Sequence, residues 1–206
     1  MTTGRAAPLS PDLRRKALID STLPLLREYG DAVTTRQIAH ACGVAEGTIF
    51  RVFPDKESLI TTALDRALDP TETIAEISRI DPTLALEQRL RAAASILYER
   101  LTGVFALLGA MRLTQPGGQA PNSSCHNIHN IHKARQAGIV DAVADLLRPD
   151  EQQLRRTPVE VAQLLRALIF SSAHPLISAE APLSSDEVVS ILLDGVRRRA
   201  ATDDPC

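Results

Sequence analysis

Apolar residues along the chain recur at helical spacing, whereas sustained alternation of apolar and polar residues is nearly absent. Ser, Thr or Asp begins many of these stretches, either directly before Pro or three residues before Gln or Glu, as helix caps do. Pro24 is expected to kink the first helix or to lower its stability there, and Gly103 predicts a break in the long sixth one. The fold class is all-α, with helices predicted at 10–29, 34–41, 46–52, 55–68, 70–79, 82–113, 127–148, 158–173 and 185–200.

The stretch TTRQIAHACGVAEGTIFRVF, residues 34–53, predicts two short helices joined by a tight turn. Ala39 is small enough to let a second helix cross closely, and Gly43 falls where the turn requires a positive φ. Ile49 and Phe53 then return at helical spacing to pack against the first helix. A small residue, a glycine four positions later and a β-branched residue ten positions later are typical of a helix-turn-helix. The plainer alternative is an ordinary corner between two helices.

The remaining residues of the second helix face outward, where a recognition helix meets DNA. The start of the preceding helix offers free backbone N–H groups to a phosphate, and Lys56 is placed to reach another. Arg51 taken alone is more safely interpreted as a solvated surface charge. The residues predicted to contact DNA are Thr35, Arg36, Glu46, Gly47, Thr48, Phe50, Arg51 and Lys56.

Residues 13–60 resemble the N-terminal domain of the TetR family of transcriptional regulators. Four positions depart from the family's usual residues: Cys42 replaces a frequent alanine, Ala45 a serine, Phe50 a tyrosine, and Val52 a tyrosine or histidine. Ala45 removes a side-chain cap worth about 1 kcal/mol from the recognition helix. The residues that carry the resemblance are Thr34, Thr35, Ile38, Ala39, Gly43, Val44, Gly47, Thr48, Phe50, Phe53, Lys56, Glu57 and Leu59.

The resemblance implies a helix-turn-helix domain at 10–56 and an effector-binding and dimerisation domain at 57–202, with about nine helices in all. It further implies a homodimer that places two recognition helices on a palindromic DNA operator. The function it implies is a ligand-responsive transcriptional regulator, a repressor that a small-molecule effector of unknown identity releases from DNA.

Two apolar stripes in the C-terminal half follow helical spacing, and the resemblance implies that they form the dimer interface. Packing inside one subunit is the alternative. Three arginines, 197–199, are expected to close the last helix. The interface residues expected on this basis are Val161, Leu164, Leu165, Leu168, Ile169, Val188, Leu192 and Val196.

One side of the 82–113 helix would line an effector pocket, although ordinary core packing explains the same pattern. These residues are Leu97, Leu101, Phe105, Leu108 and Met111.

The segment CHNIHNIHK would place Cys125, His129 and His132 on one face if it were helical, a spacing able to chelate zinc or copper. A polar loop that leads into a helix is the preferred interpretation. We therefore predict no metal and no cofactor. Residues 114–127, rich in Pro, Gly, Ser and Asn, are expected to form a loop that connects two helices.

Composition supports a soluble globular protein and adds few constraints on partners. The chain has 206 residues, 44% of them hydrophobic, and a formal net charge of −2. No signal-peptide pattern and no apolar run of about 18 residues were found, so we expect a cytoplasmic location. An enzyme is disfavoured because the sequence lacks a phosphate-binding Gly-rich loop and a nucleophile elbow. A helical adaptor that binds only protein is the other alternative.

Overall fold

The computed structural model describes residues 10–113, 137–175, 177–178 and 182–197, and within these ranges the regular secondary structure is helical. Two 3₁₀ helices, Gly30–Ala32 and Arg148–Gln153, were not predicted. The α-helices are α1 (Pro11–Tyr29), α2 (Thr35–Cys42), α3 (Glu46–Val52), α4 (Lys56–Leu68), α5 (Thr71–Ser78), α6 (Leu86–Leu113), α7 (137–147), α8 (Pro158–Ala173) and α9 (Ser185–Val196). The all-α prediction is therefore confirmed.

The prediction for the end of the last helix was wrong. Arg197 lies outside α9 with an extended backbone, φ −68° and ψ 141°, and forms an isolated antiparallel bridge with Leu154. The Arg155 N–H donates to the Val196 carbonyl at 2.7 Å. The segment after the 3₁₀ helix therefore takes the carbonyl that a further helical turn would have used.

The two predicted helix interruptions do not end a helix. α1 continues through Pro24, and α6 runs unbroken through Gly103. Leu97 and Leu107, on either side of Gly103, are both buried. Burial of these flanking side chains outweighs the cost of about 1 kcal/mol for glycine in a helix. The predicted loop at 114–127 and the predicted helical residues 127–136 lie outside the described ranges.

The first of two compact units comprises Met1–Leu68 and Ala106–Gln119. Its core joins side chains from α1 to α4 with Leu107 of α6. Helix α4 belongs here because its buried residues Leu59 and Ala63 pack in the same core as Ile38 and Ile49. This unit extends beyond the 10–56 expected from the resemblance.

The second unit comprises Asp69–Phe105 and Ala120–Cys206, and its described core joins α5 and α6 with α7, α8 and α9. Capping boxes fix the starts of α8 and α9, since Thr157 and Ser184 accept from N–H groups that lie three residues later. The carboxylates of Glu160 and Glu187 in turn accept hydrogen bonds from the backbone N–H groups of these capping residues, both at 2.9 Å. The sequence predicted both boxes.

Most of the expected dimer-interface residues lie inside the subunit, which corrects that expectation. They belong to the second unit's core because the strongest apolar stripe of each helix faces its own chain. Only Leu164, at 45% exposure, and the half-buried Leu168 reach the surface, where Ile191 is 52% exposed. The buried members of the set are Val161, Leu165, Ile169, Val188, Leu192 and Val196.

The expected effector-lining residues divide between the two units, because α6 contributes residues to both. Leu97 and Leu101 pack in or against the core of the second unit, whereas Met111 packs against that of the first. Leu108 is exposed, and the Phe105 ring contacts other aromatic rings. A single stripe along one helix predicts that these side chains share one core. They do not, because they divide between the two units.

Part of α6, Leu86–Met111, is long and apolar enough to cross a membrane by length and composition alone, with a mean hydropathy of 1.2. The segment is not an uninterrupted apolar run, since it contains Glu87, Arg89, Arg91, Glu99 and Arg100. The criterion is weak evidence because core helices of soluble proteins also meet it. Leu90, Leu97 and Leu107 of α6 are core residues, but only 17% of the apolar segment is buried.

We predict that the capping carboxylates make stability depend on pH. Backbone N–H groups of Thr157 and Ser184 lower the pKa of Glu160 and of Glu187 below the ordinary value. A lowered pKa in the folded state stabilises the protein above the ordinary carboxyl pKa, and this contribution is lost as pH falls through the folded value. Double replacement by Gln keeps the capping boxes but removes the titration.

The Glu160→Gln/Glu187→Gln variant should therefore lose less Tm than the parent protein between pH 7 and about pH 3. Thermal unfolding followed by circular dichroism measures this. Glu76→Gln, an exposed glutamate of α5 outside any capping box, is the control. An equal fall of Tm in the parent protein and in the double variant would contradict the assignment.

Candidate nucleic-acid interface

A capping box fixes the start of α2. The Thr34 hydroxyl accepts the Gln37 N–H at 3.2 Å, and Gln37 Oε1 accepts the Thr34 N–H at 2.8 Å. The N–H groups of the first helical turn have no partner within a helix, so those of Thr35 and Arg36 are oriented outward from the helix start. Such a start is suited to bind an anion such as a phosphate.

The turn between α2 and α3 depends on Gly43, as the sequence predicted. Its backbone is left-handed, with φ 68° and ψ 30°, and its N–H donates to the carbonyls of Ala39 and His40. The Val44 N–H also reaches the Ala39 carbonyl, at 2.9 Å. These three bonds satisfy carbonyls at the end of α2 and set the direction in which the chain enters α3.

Helix α3 divides into an inward and an outward face. Ile49 is fully buried and Phe53 is 1% exposed, whereas Phe50 is 52% exposed and Arg51 is also exposed. Ala45 precedes the helix without a side-chain capping bond, which agrees with the departure seen in the sequence. The fold of the first unit thus leaves one ring and one guanidinium of α3 facing solvent.

Thr35 and Glu46, both predicted to contact DNA, are hydrogen-bonded to each other. The Thr35 hydroxyl donates to Glu46 Oε1 at 2.5 Å, which connects the starts of α2 and α3. The hydroxyl is therefore used within the protein, and the backbone N–H of Thr35 is the group that remains for a phosphate. Gly47 is exposed beside them, and Thr48 is half-buried.

Lys56 has a structural role that the sequence did not reveal. Its Nζ donates to the carbonyls of Asp31 and Val33, each at 3.1 Å, and joins the start of α4 to the segment before α2. The capping of α4 is supplied by Asp55, whose carboxylate accepts the Ser58 N–H at 2.7 Å. A contact of Lys56 with phosphate remains a prediction. It would use an ammonium group that already donates hydrogen bonds within the protein.

Arg15 of α1 is a further residue at this surface that sequence reasoning missed. Its guanidinium lies over the Phe53 ring, 4.3 Å from the ring centre, and Nη1 is 3.4 Å from the Val52 carbonyl. Arg15 and Val52 are 37 positions apart in the chain. No local pattern predicts such a contact, because it exists only once α1 packs beside the end of α3.

The described ranges hold no group of three or more His, Cys, Asp or Glu side chains arranged to bind a metal ion. The metal-chelating alternative raised by Cys125, His129 and His132 lies outside those ranges.

Comparison with known proteins agrees with this geometry. Residues 18–63 match the family described as bacterial regulatory proteins, tetR family. The HTH-type transcriptional repressor KstR of Mycolicibacterium smegmatis is 37% identical over 135 residues, which are 65% of this chain and 59% of that protein. The chain spans less than two thirds of the length of the curated relatives it matches.

Solved structures of TetR regulators share the fold over most of the chain. A TetR transcriptional regulator from Streptomyces coelicolor has a TM-score of 0.53 and 20% identity, covering 90% of this chain and 99% of its own. AibR in complex with isovaleryl coenzyme A and operator DNA has a TM-score of 0.50 and 15% identity, covering 88% of this chain and 97% of its own.

We predict that two glycines of this region respond in opposite ways to replacement by alanine. An added Cβ meets no atom within 4 Å at either position, so only the backbone decides the outcome. Gly43→Ala forces a left-handed residue and should lower the free energy of unfolding by about 1 kcal/mol. Gly47→Ala lies within α3 and should raise it by about 0.5–1 kcal/mol. Urea unfolding of both variants measures the difference, and destabilisation of similar size at both positions would contradict it.

Proposed function

Because the chain belongs to the TetR family of bacterial regulatory proteins, we propose that it is a ligand-responsive transcriptional repressor that binds operator DNA through α3. The observation that supports this most is the division of α3. Ile49 and Phe53 anchor the helix in the core, while Phe50 and Arg51 are left exposed. A helix held in this way presents side chains to a major groove without a change in the fold.

Each exposed group has a chemistry that suits DNA. An arginine guanidinium can donate two hydrogen bonds to guanine, and an apolar ring can contact the methyl group of thymine. Gly47 has no side chain, so the start of α3 can approach the DNA backbone closely. The Thr35 and Arg36 N–H groups at the start of α2 are suited to a phosphate, which would fix the position of the helix on the duplex.

We further propose that a small molecule controls DNA binding. KstR is described as a transcriptional repressor, and AibR binds both operator DNA and isovaleryl coenzyme A. The fold shared with AibR supports a small-molecule effector as a class, without indicating its identity. Such an effector would bind one conformation of the repressor more tightly than another and so shift the population away from the DNA-binding form.

The surface formed by α8 and α9 is our proposed dimer interface. Leu164 and Ile191 are exposed there, Leu168 is half-buried, and Arg155 and Arg156 are close by. These residues line an open groove of about 530 Å³. The same surface of a second copy would cover the exposed apolar side chains of this groove. Two copies would then supply two recognition helices to a palindromic operator.

This function would place the protein in the cytoplasm with the chromosome. An enzyme and a protein-binding adaptor are the competing classes, and neither would bind DNA with an affinity that falls steeply with salt. A gel-shift titration at several salt concentrations separates the repressor from both.

We predict that Arg51→Ala and Thr48→Ala weaken specific DNA binding without unfolding the protein. The operator is first obtained by selecting bound sequences from random DNA. Loss of a base contact costs about 1–3 kcal/mol, equivalent to roughly a 5- to 150-fold rise in Kd for each contact. Arg79→Ala, at an exposed position of the second unit, is the control. Operator affinity equal to that of the parent protein in both variants would exclude this reading of α3.

We predict that a charge on the α8–α9 surface dissociates the dimer. Leu164→Glu and Ile191→Glu each place a carboxylate in the proposed apolar contact, where burial of an unpaired charge is strongly unfavourable. Light scattering should report a monomer with unchanged helical content. Leu84→Glu, at a residue of similar exposure outside both helices, is the matched control. A dimer of unchanged affinity in both surface variants would place the interface elsewhere.

A further inference from the structure

The C-terminal end of α3 carries a contact that the proposed function leaves unused. From the position of the Arg15 guanidinium over the Phe53 ring, 4.3 Å from its centre, and beside the Val52 carbonyl, we propose that Arg15 is a positioning residue for the recognition helix. Arg15 acts through Phe53 and Val52, and it sets the orientation of α3 relative to α1. This inference rests on the proposed DNA-binding function.

Helix α3 requires such support because it is short. It has seven residues, and helices of that length are not stable in water without tertiary contacts. Its N-terminal end has no side-chain capping bond, since the capping position is Ala45. At the other end, the last carbonyls of a helix have no partner within it and carry partial negative charge. A guanidinium at Val52 satisfies one of these carbonyls and interacts favourably with the helix dipole.

The chemistry of arginine fits both contacts at once. Its planar guanidinium can stack on an aromatic ring and still donate N–H bonds in the plane of the group, which a lysine ammonium does less well. The Phe53 ring is 1% exposed and therefore fixed by the core, so it offers a rigid platform. Arg15 is itself exposed, so the contact forms without burial of the charge.

A direct contact of Arg15 with a DNA phosphate is the competing explanation, and the two roles predict different measurements. A phosphate contact adds affinity for every sequence and steepens the dependence on salt by about one unit for each contact. A positioning contact leaves the salt dependence unchanged. It lowers the ratio of affinities for operator and scrambled DNA, because a displaced α3 loses base contacts while phosphate contacts persist.

The experiment compares Arg15→Gln and Arg15→Lys with Lys16→Gln, a control that removes the same charge from the next, also exposed position of α1. Each purified protein is titrated with the selected operator and with a scrambled duplex at four salt concentrations. Arg15→Gln should lower the operator-to-scrambled ratio about two- to fivefold for each recognition helix, or roughly 4- to 25-fold for a dimer. Arg15→Lys should recover part of the ratio, and Lys16→Gln should leave it unchanged.

An unchanged ratio together with a shallower salt dependence in Arg15→Gln would overturn the proposal in favour of a phosphate contact. If neither the operator-to-scrambled ratio nor the salt dependence changes in Arg15→Gln, the proposal is overturned as well. If Arg15→Gln loses DNA binding only because it unfolds, the amount of active protein falls while the operator-to-scrambled ratio of the folded fraction stays the same. That result would also overturn the positioning role.

Hydrogen exchange of the free protein tests the contact without DNA. Amides of α3 should exchange about two- to fivefold faster in Arg15→Gln than in Lys16→Gln, while those of α2 remain alike in the two variants. Equal exchange in α3 would overturn the proposal even if the parent protein binds DNA. Faster exchange of α3 in a protein that shows no operator preference would instead retain the positioning contact and refute the proposed function.

Discussion

The left-handed turn at Gly43 is the constraint on which the rest of the candidate site depends. It ends α2 and directs the chain so that α3 meets the core with Ile49 and Phe53. Because an α-helix has 3.6 residues per turn, burying Ile49 turns Phe50 and Arg51 away from the core. A different turn would rotate α3, and other residues would then face solvent. One backbone conformation therefore decides which side chains are available to DNA.

Two phenylalanines, Phe50 in α3 and Phe53 directly after it, show how the two faces cooperate in a chain with only six aromatic residues. Phe53 packs in the core and carries the Arg15 guanidinium on its ring, whereas Phe50 has no such burial and is left for a partner. Thr35 and Glu46 join the starts of α2 and α3, so α3 is contacted by polar groups near both ends. Exposed polar side chains thus hold a helix that is too short to be stable alone.

Features that depend on neighbours in sequence could be predicted, and those that depend on distant neighbours could not. The Thr34–Gln37 capping box, the positive φ of Gly43 and the inward position of Phe53 all follow from spacings of a few residues. The bonds of Lys56 to carbonyls before α2 and the Arg15 contact join residues more than twenty positions apart. The apolar stripes of α8 and α9 were found correctly but assigned to a second subunit, because periodicity reveals a buried face without revealing what buries it. Leu164 belongs to the first stripe and Ile191 lies three residues after Val188, yet both are exposed, so helical spacing alone did not separate inward from outward positions.

The central claim is that α3 enters DNA with its outward face. The most direct measurement replaces Phe50 with a photo-crosslinking phenylalanine analogue and irradiates the protein bound to its selected operator. The account predicts a crosslink to a base, and none when the same analogue replaces Phe170, an exposed ring of the second unit. Operator bound at full affinity with no crosslink from position 50 would contradict it.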